Sequence, residues 1–166
     1  MQLFILHVNP VFAARQLCDA HLRKMCLETA QILSSVLLLQ GKPRRKEMPK
    51  PYNPNHPVIR ALDTDQKINW ATTLNTALHP EYLRRFGKPH AYAGLCSAYE
   101  NLLYQPGIRI DPDGWSFART FKGITITESD IVAAYRAYYR YKKCLLIRNW
   151  KYSRTREPDW LKDPLT

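Results

Sequence analysis

The sequence lacks several features that would settle a function class at once. None of its four cysteines, Cys18, Cys26, Cys96 and Cys144, forms a CxxC pair. They read as reduced, mostly buried thiols, and a structural zinc site is not expected from them. No apolar run approaches the length of a membrane span; the longest, residues 36–39, covers one helical turn. The first ten residues are apolar, with no basic segment before them and no small-residue cleavage site after them. A secretory leader is therefore not expected, and the chain reads as cytoplasmic, away from any membrane. There is no internal repeat and no low-complexity tract. Acid is scarce: 14 Asp+Glu stand against 25 Lys+Arg, a net charge of +11. Such an excess favours polyanionic partners and says little about fold.

What is present is a globular composition, 45% hydrophobic over 166 residues, enough for one domain with its own core. The pattern predicts an all-α chain: a single helical domain over residues 1–166 with long Pro-rich loops. Residues 1–8 read as a short strand or extended arm. Asn9-Pro10 is a helix start, with Asn at the N-cap and Pro at the first helical position. Helical periodicity runs from Val11 to Gln40, with a break near Asp19, and Gly41 is the stop. Residues 42–57 hold five prolines and five Lys/Arg against one Glu, a basic loop. Further helices are predicted over 63–78, ending before His79-Pro80, and over about 80–104 with a split at residues 87–89. Residues 105–126 form a long connection with a short extended piece at 123–127. Thr127 or Ser129 would cap a last helix reaching Lys151, and residues 152–166 form a tail that wraps the surface or frays.

The first long helix carries an unusual polar strip. At about 100° per residue, Leu22, Met25, Ile32, Leu33 and Val36 share the core face. His21, Lys24, Glu28 and Gln31 fall together beside it, within about 80°. A His, a Lys, a Glu and a Gln at the edge of a core belong in a cleft or under another segment. A carboxylate partly desolvated there can act as acid or base, or stabilise an oxocarbenium-like sugar. The same residues also fit an ordinary helix face, with Lys24 and Glu28 as an i,i+4 pair. A metal site built on His21 and Glu28 lacks a third ligand, so neither metal nor other cofactor is expected.

Residues 131–156 contain no acidic residue and eight basic ones: Arg136, Arg140, Lys142, Lys143, Arg148, Lys151, Arg154 and Arg156. Tyr135, Tyr138, Tyr139, Tyr141, Tyr152 and Trp150 are interleaved. Arg136, Arg140 and Lys143 have helical spacing suited to a phosphate backbone, and aromatic rings offer stacking to exposed bases. Tyr135, Tyr138 and Tyr139 also have the spacing of a buried face. Together with the 42–50 loop, this points to nucleic acid. An acidic protein or lipid surface is the weaker alternative.

The segment from Cys18 to Gln31 resembles a bacteriophage-borne family with the pattern C-D-x-H-x-x-K-M-x-x-E-x-A-Q. That family also shows an N-H-P element, matched by Asn55-His56-Pro57. A Tyr/Phe-Gly-Lys-x-His element is matched by Phe86, Gly87, Lys88 and His90, and A-Y-R-x-Y-Y by residues 134–139. More remotely, Asp19, His21, Leu22 and Glu28 resemble the first helix of the phage pyrimidine-dimer DNA glycosylases of the endonuclease V type. That resemblance implies a small basic enzyme that flips a damaged or modified base out of DNA. Glu28 would be the catalytic carboxylate. The α-amine of Met1 would attack the sugar C1′ to form an imine, and the carboxylate would then assist β-elimination at the abasic site. The family's amine belongs to a small residue exposed after Met removal; Gln2 here is too large for efficient removal, which leaves Met1 itself or Lys24 as the amine.

The sequence therefore points to a DNA N-glycosylase with AP-lyase activity, with Glu28, His21, Lys24 and Met1 as the catalytic group. DNA contacts are expected from Arg23, Arg44, Arg45, His56, Arg136, Arg140 and Lys143, with Trp70, Tyr138 or Tyr139 supporting a flipped base. A non-catalytic phage DNA-binding protein, or a base-modification or nucleotide enzyme on the same scaffold, are the alternatives.

Overall fold

The computed structural model describes residues 2–110, 115–145 and 150–162. Among these are six α-helices, two 3-10 turns and no strand. The all-α expectation holds, and the buried apolar residues form one contiguous cluster. No described helix is long and apolar enough to cross a membrane.

Helix α1 spans Pro10–Gln16 and α2 spans Asp19–Leu39, broken between them at Leu17 and Cys18 as the sequence suggests. The Asn9 side chain accepts the Val11 N–H at 2.9 Å, and Gly41 ends α2 with φ 63°. A short helix α3, Pro57–Arg60, follows the Pro-rich loop, with His56 Nδ1 accepting the Val58 N–H. Helix α4 runs unbroken from Asp65 to Phe86, capped by Thr64 and closed by Gly87 at φ 71°. This corrects the expected break at His79-Pro80. Pro80 costs one backbone hydrogen bond, normally enough to end a helix. The turns on either side of it are held from outside: α4 packs against α1, α2 and α5, and its last turn is anchored by Arg85. Helix α5 is shorter than expected, Cys96–Leu103, after a 3-10 turn at Ala93–Leu95.

Helix α6, Ile131–Leu145, starts later than expected. Asp130 is its cap, accepting the Ala133 N–H at 2.6 Å, in place of Thr127 or Ser129. It does not reach Lys151, because residues 150 and 151 are already non-helical. The expected extended piece at 123–127 pairs with no strand. The N-terminal arm, with Leu3, Ile5 and Leu6 fully buried, likewise makes no β ladder, and it turns tightly where the Leu6 N–H donates to Phe4 O at 3.0 Å. Side chains take up its carbonyls instead: Trp70 Nε1–H donates to Val8 O at 2.8 Å and Arg136 to Leu6 O at 2.9 Å.

The corner between α1 and α2 is locked by Arg85, whose side chain is wholly buried. Its guanidinium donates to Glu81 Oε1 (2.6 Å), Leu17 O (2.7 Å), Arg15 O (2.8 Å) and Asp19 Oδ1 (3.1 Å). Asp19, in the first turn of α2, also accepts the Ser153 N–H at 3.0 Å. Burial pushes the Asp19 carboxyl up, but the bonds from Ser153 and Arg85 outweigh it and hold the carboxyl below its usual range. Residues 150–162 therefore form a strap across the helices. Its other ties are Asp19 N–H to Lys151 O (2.8 Å), Tyr152 Oη–H to Gln16 O (2.9 Å) and Trp160 Nε1–H to Gln16 Oε1 (3.0 Å).

Replacing Arg85 by Leu removes the interior cation that joins Glu81, Asp19 and the Arg15 and Leu17 carbonyls, leaving Glu81 only Arg84 and Asp19 only the Ser153 N–H. A destabilisation of about 3–5 kcal/mol is expected, read as a lower urea midpoint at unchanged slope. A loss no larger than that of an exposed ion pair, about 0–1 kcal/mol, would show that the network does not hold the corner.

Candidate active site

The polar strip of α2 lies in a cleft, as the helical wheel suggests. A cavity of about 280 Å³ is lined by Gln2, Phe4, His21, Lys24, Glu28, Tyr52, His56, Thr120, Lys122, Tyr138 and Lys142. The N-terminal arm, the Pro-rich loop, the segment before α6 and α6 itself thus close over one face of α2. Gln31, the fourth member of the strip, is half-buried outside this lining.

Glu28 and Lys24 do form the i,i+4 pair, at 3.0 Å, but very unequally: the lysine side chain is 63% exposed and the carboxylate 13%. The ordinary helix-surface pair and a sheltered carboxylate are therefore the same object. The shortest contact of the pair is to Oε1.

His21 is packed among rings: Phe4 at 4.6 Å, Tyr139 at 5.0 Å and Trp150 at 5.7 Å between centroids. Its Nδ1 lies 2.9 Å from Tyr139 Oη, which itself accepts the Cys18 N–H at 2.8 Å. The phenol thus bridges the Cys18 N–H and the imidazole and fixes the ring in place. Burial, reinforced by Lys142 and Lys24, lowers the imidazole pKa to about 3. His21 is thus a fixed, neutral imidazole. His56 caps α3 through Nδ1, stacks edge-on against Tyr52 and lines the cleft with the rest of its ring. Burial lowers its pKa as well.

Lys142 has no distinguishing mark in the sequence, where it is one of eight cations in a row. In the structure it is half-buried in the cleft, and its pKa is lowered by burial and then by the charge of Lys24. Lys122, exposed at the opposite rim, likewise lies outside the residues expected from sequence. Its neighbour Gly123 has φ 82°, and a Cβ there would sit 2.5 Å from Tyr141 Oη, so the turn presenting Lys122 requires glycine. Phe4, Gln2 and Thr120 complete the lining and carry no sequence signal of their own.

Other expected positions fall elsewhere. Trp70 is a core residue, 1% exposed with its N–H bound to Val8, so it cannot stack on a flipped base. Tyr139 is fully buried and serves His21 rather than a base. Tyr138 reaches the lining, but its ring packs on Phe121 and Tyr141, so it forms a wall. Arg136, Arg140 and Lys143 do not present a free row of cations. They donate to Leu6 O, Trp160 O and Leu161 O, and Lys143 also pairs with Glu157 at 2.6 Å. Arg23 lies over the Phe86 ring at 4.3 Å, outside the cleft. Arg44 and Arg45 are exposed beside a separate depression with Ala98 and Asn101. Met1 lies outside the described residues. A larger depression of about 600 Å³ beside α4 is lined by Glu81 and Arg84, which are already bonded to each other, and offers no free reactive group.

Comparison with known proteins finds no matching family model, no matching curated protein and no matching solved structure.

Tyr139→Phe removes the acceptor of the Cys18 N–H and the hydrogen bond to His21. A loss of about 1–3 kcal/mol is expected, accompanied by new mobility of the His21 ring in NMR. The acid side follows from the same burial. His21 near 3 and His79 near 4 both refuse protons that the unfolded chain binds below about 6.5. Stability should therefore fall as pH drops from about 6.5 towards 4. His21→Gln should flatten that slope in urea titrations; an unchanged slope would mean that His21 titrates normally in the folded protein.

Proposed function

We propose that the chain is a DNA-acting enzyme that cleaves the N-glycosidic bond of a flipped, damaged or modified base and then the abasic strand. The observation that carries this reading is the pairing, in one 280 Å³ cleft, of a sheltered carboxylate with an amine of lowered pKa, Glu28 and Lys142, between the cations Lys24 and Lys122. A sugar C1′ is out of reach in a stacked duplex, so the nucleotide must leave the helix and enter a recess. The cleft is small and polar, with neutral hydrogen-bonding groups, His21 and His56, and lysines at its rim.

The chemistry uses these residues directly. A neutral amine attacks C1′, and the C1′–N bond breaks as the base departs and takes up a proton. Opening of the sugar C1′–O4′ bond gives the imine, with O4′ leaving as a hydroxyl. Glu28 takes a proton from C2′, and the C3′–O bond breaks with the 3′-phosphate as leaving group. Lys142 is the amine we assign. Desolvation and a neighbouring cation raise its neutral fraction, whereas Lys24 is paired with Glu28 and largely in water. His21, held through Nδ1 by Tyr139, orients the sugar with the rest of its ring. Lys24 and Lys122 hold the flanking phosphates, with the exposed Arg45 reaching more distant backbone, while Arg44 donates to Met48 O at 2.6 Å.

Duplexes with a single abasic site or a pyrimidine dimer, incubated with and without borohydride, test this. Wild-type protein should break the strand and give a trapped covalent adduct. Glu28→Gln should slow strand cleavage by about 10²–10⁴-fold. Lys142→Gln should abolish the adduct, and Lys24→Gln should retain it. An adduct surviving both lysine changes would move the nucleophile to the α-amine. Salt-sensitive binding with neither break nor adduct on any such substrate would overturn the enzyme reading in favour of a non-catalytic DNA-binding protein.

A further inference from the structure

Helix α2 has a second chemically loaded face. Cys26 lies two residues before Glu28, about 200° around the helix, and points away from the cleft into a group with His79 of α4 and His90 of the loop after it. One ligand atom from each of the three lies within 4.8 Å of the others. Cys26 is fully buried and His79 is 5% exposed. Neither ring nitrogen of His79 has a hydrogen-bond partner. Other buried side chains leave single polar atoms unpaired, but His79 alone among the described residues leaves both of its polar atoms so, which calls for a ligand. The His90 ring is only weakly engaged, its Nδ1 accepting the Tyr92 N–H across 3.3 Å.

We propose that Cys26, His79 and His90 form a binding site for a zinc-class divalent cation. The donor set is one sulfur and two imidazoles with no carboxylate, which suits zinc and disfavours magnesium or calcium. Zinc bonds of about 2.0–2.3 Å in tetrahedral geometry place donors about 3.3–3.8 Å apart, so a side-chain adjustment of about 1 Å closes the shell around the ion. Burial and the neighbouring His90 lower the His79 pKa to about 4, so its lone pair is free at neutral pH. The three donors come from α2, α4 and the loop before α5, so the ion would pin that loop to the bundle. They leave the fourth tetrahedral position open. Burial, and then the nearby Cys96, push the Cys26 thiol up to about 12, so cation binding must displace its proton. His90 and Cys96 are half-buried, which gives the ion a way in from solvent. The cation would satisfy the His79 ring that the protein leaves unpaired. None of this depends on the DNA reading of the opposite face.

The test is metal titration of the full chain after chelation and dialysis. Zn²⁺ should be retained at one equivalent per chain and raise the thermal midpoint. Co²⁺ in its place should show a thiolate charge-transfer band. Cys26→Ser should lose that band. His90→Gln, a change at a half-exposed loop position that leaves the helices intact, should weaken Zn²⁺ binding at least about tenfold, the smallest effect seen even for outer-shell partners. No retained Zn²⁺ in wild-type protein would overturn the site. So would a Co²⁺ band that survives Cys26→Ser, or Zn²⁺ affinity unchanged in a folded His90→Gln protein.

Discussion

A single buried guanidinium sets the geometry on which everything else rests. Arg85 reaches from the last turn of α4 to the end of α1 and the first turn of α2, and meets two carboxylates and two carbonyls there. Arginine suits this position because its rigid fork serves several acceptors at once and stays charged in the interior. The carboxylate of Asp19 passes the constraint on to Ser153, so the strap is registered to the same point. The direction in which α2 leaves that corner decides where His21 and Glu28 stand. Trp150 of the strap then closes against the His21 ring.

The charge of the chain serves two ends. On α6 the arginines mainly bind the chain's own carbonyls, and they hold the arm and the strap in place. Around the cleft, Lys24, Lys122 and Lys142 face one carboxylate and two neutral imidazoles, which leaves a local positive excess. The basic stretch that looks uniform in sequence is thus divided between structural and exposed charge by which carbonyls happen to lie within reach.

Much of this fold is legible in the amino-acid pattern. The helix start at Asn9-Pro10 and the stop at Gly41 follow from local backbone chemistry, and they hold. The cleft position of His21, Lys24 and Glu28 follows from the wheel of α2, because a polar strip flanking a core face has few other places to go. What escapes the pattern is non-local. Pro80 reads as a stop because local rules carry no knowledge of the neighbours that hold α4 straight. Trp70 reads as support for a flipped base, and Tyr139 as either that or part of a buried face, because sequence does not say which polar partner awaits a buried ring. Lys142 is hidden among seven similar cations, and its distinction is burial beside Lys24. Cys26, His79 and His90 are too far apart in sequence for any spacing rule.

The His21 surroundings are assembled from Phe4, Tyr139 and Trp150, segments from opposite ends of the sequence. Closing such long loops carries an entropic cost that must be met before the contacts offset it. The helical bundle of local contacts can form first, and the cleft last. During synthesis, α2 emerges early with Glu28 and His21 unenclosed. The recess comes into being once α6 and Trp150 have left the ribosome and folded back. A chain ended before α6 keeps His21 and Glu28 without the walls that Tyr138 and Lys142 supply.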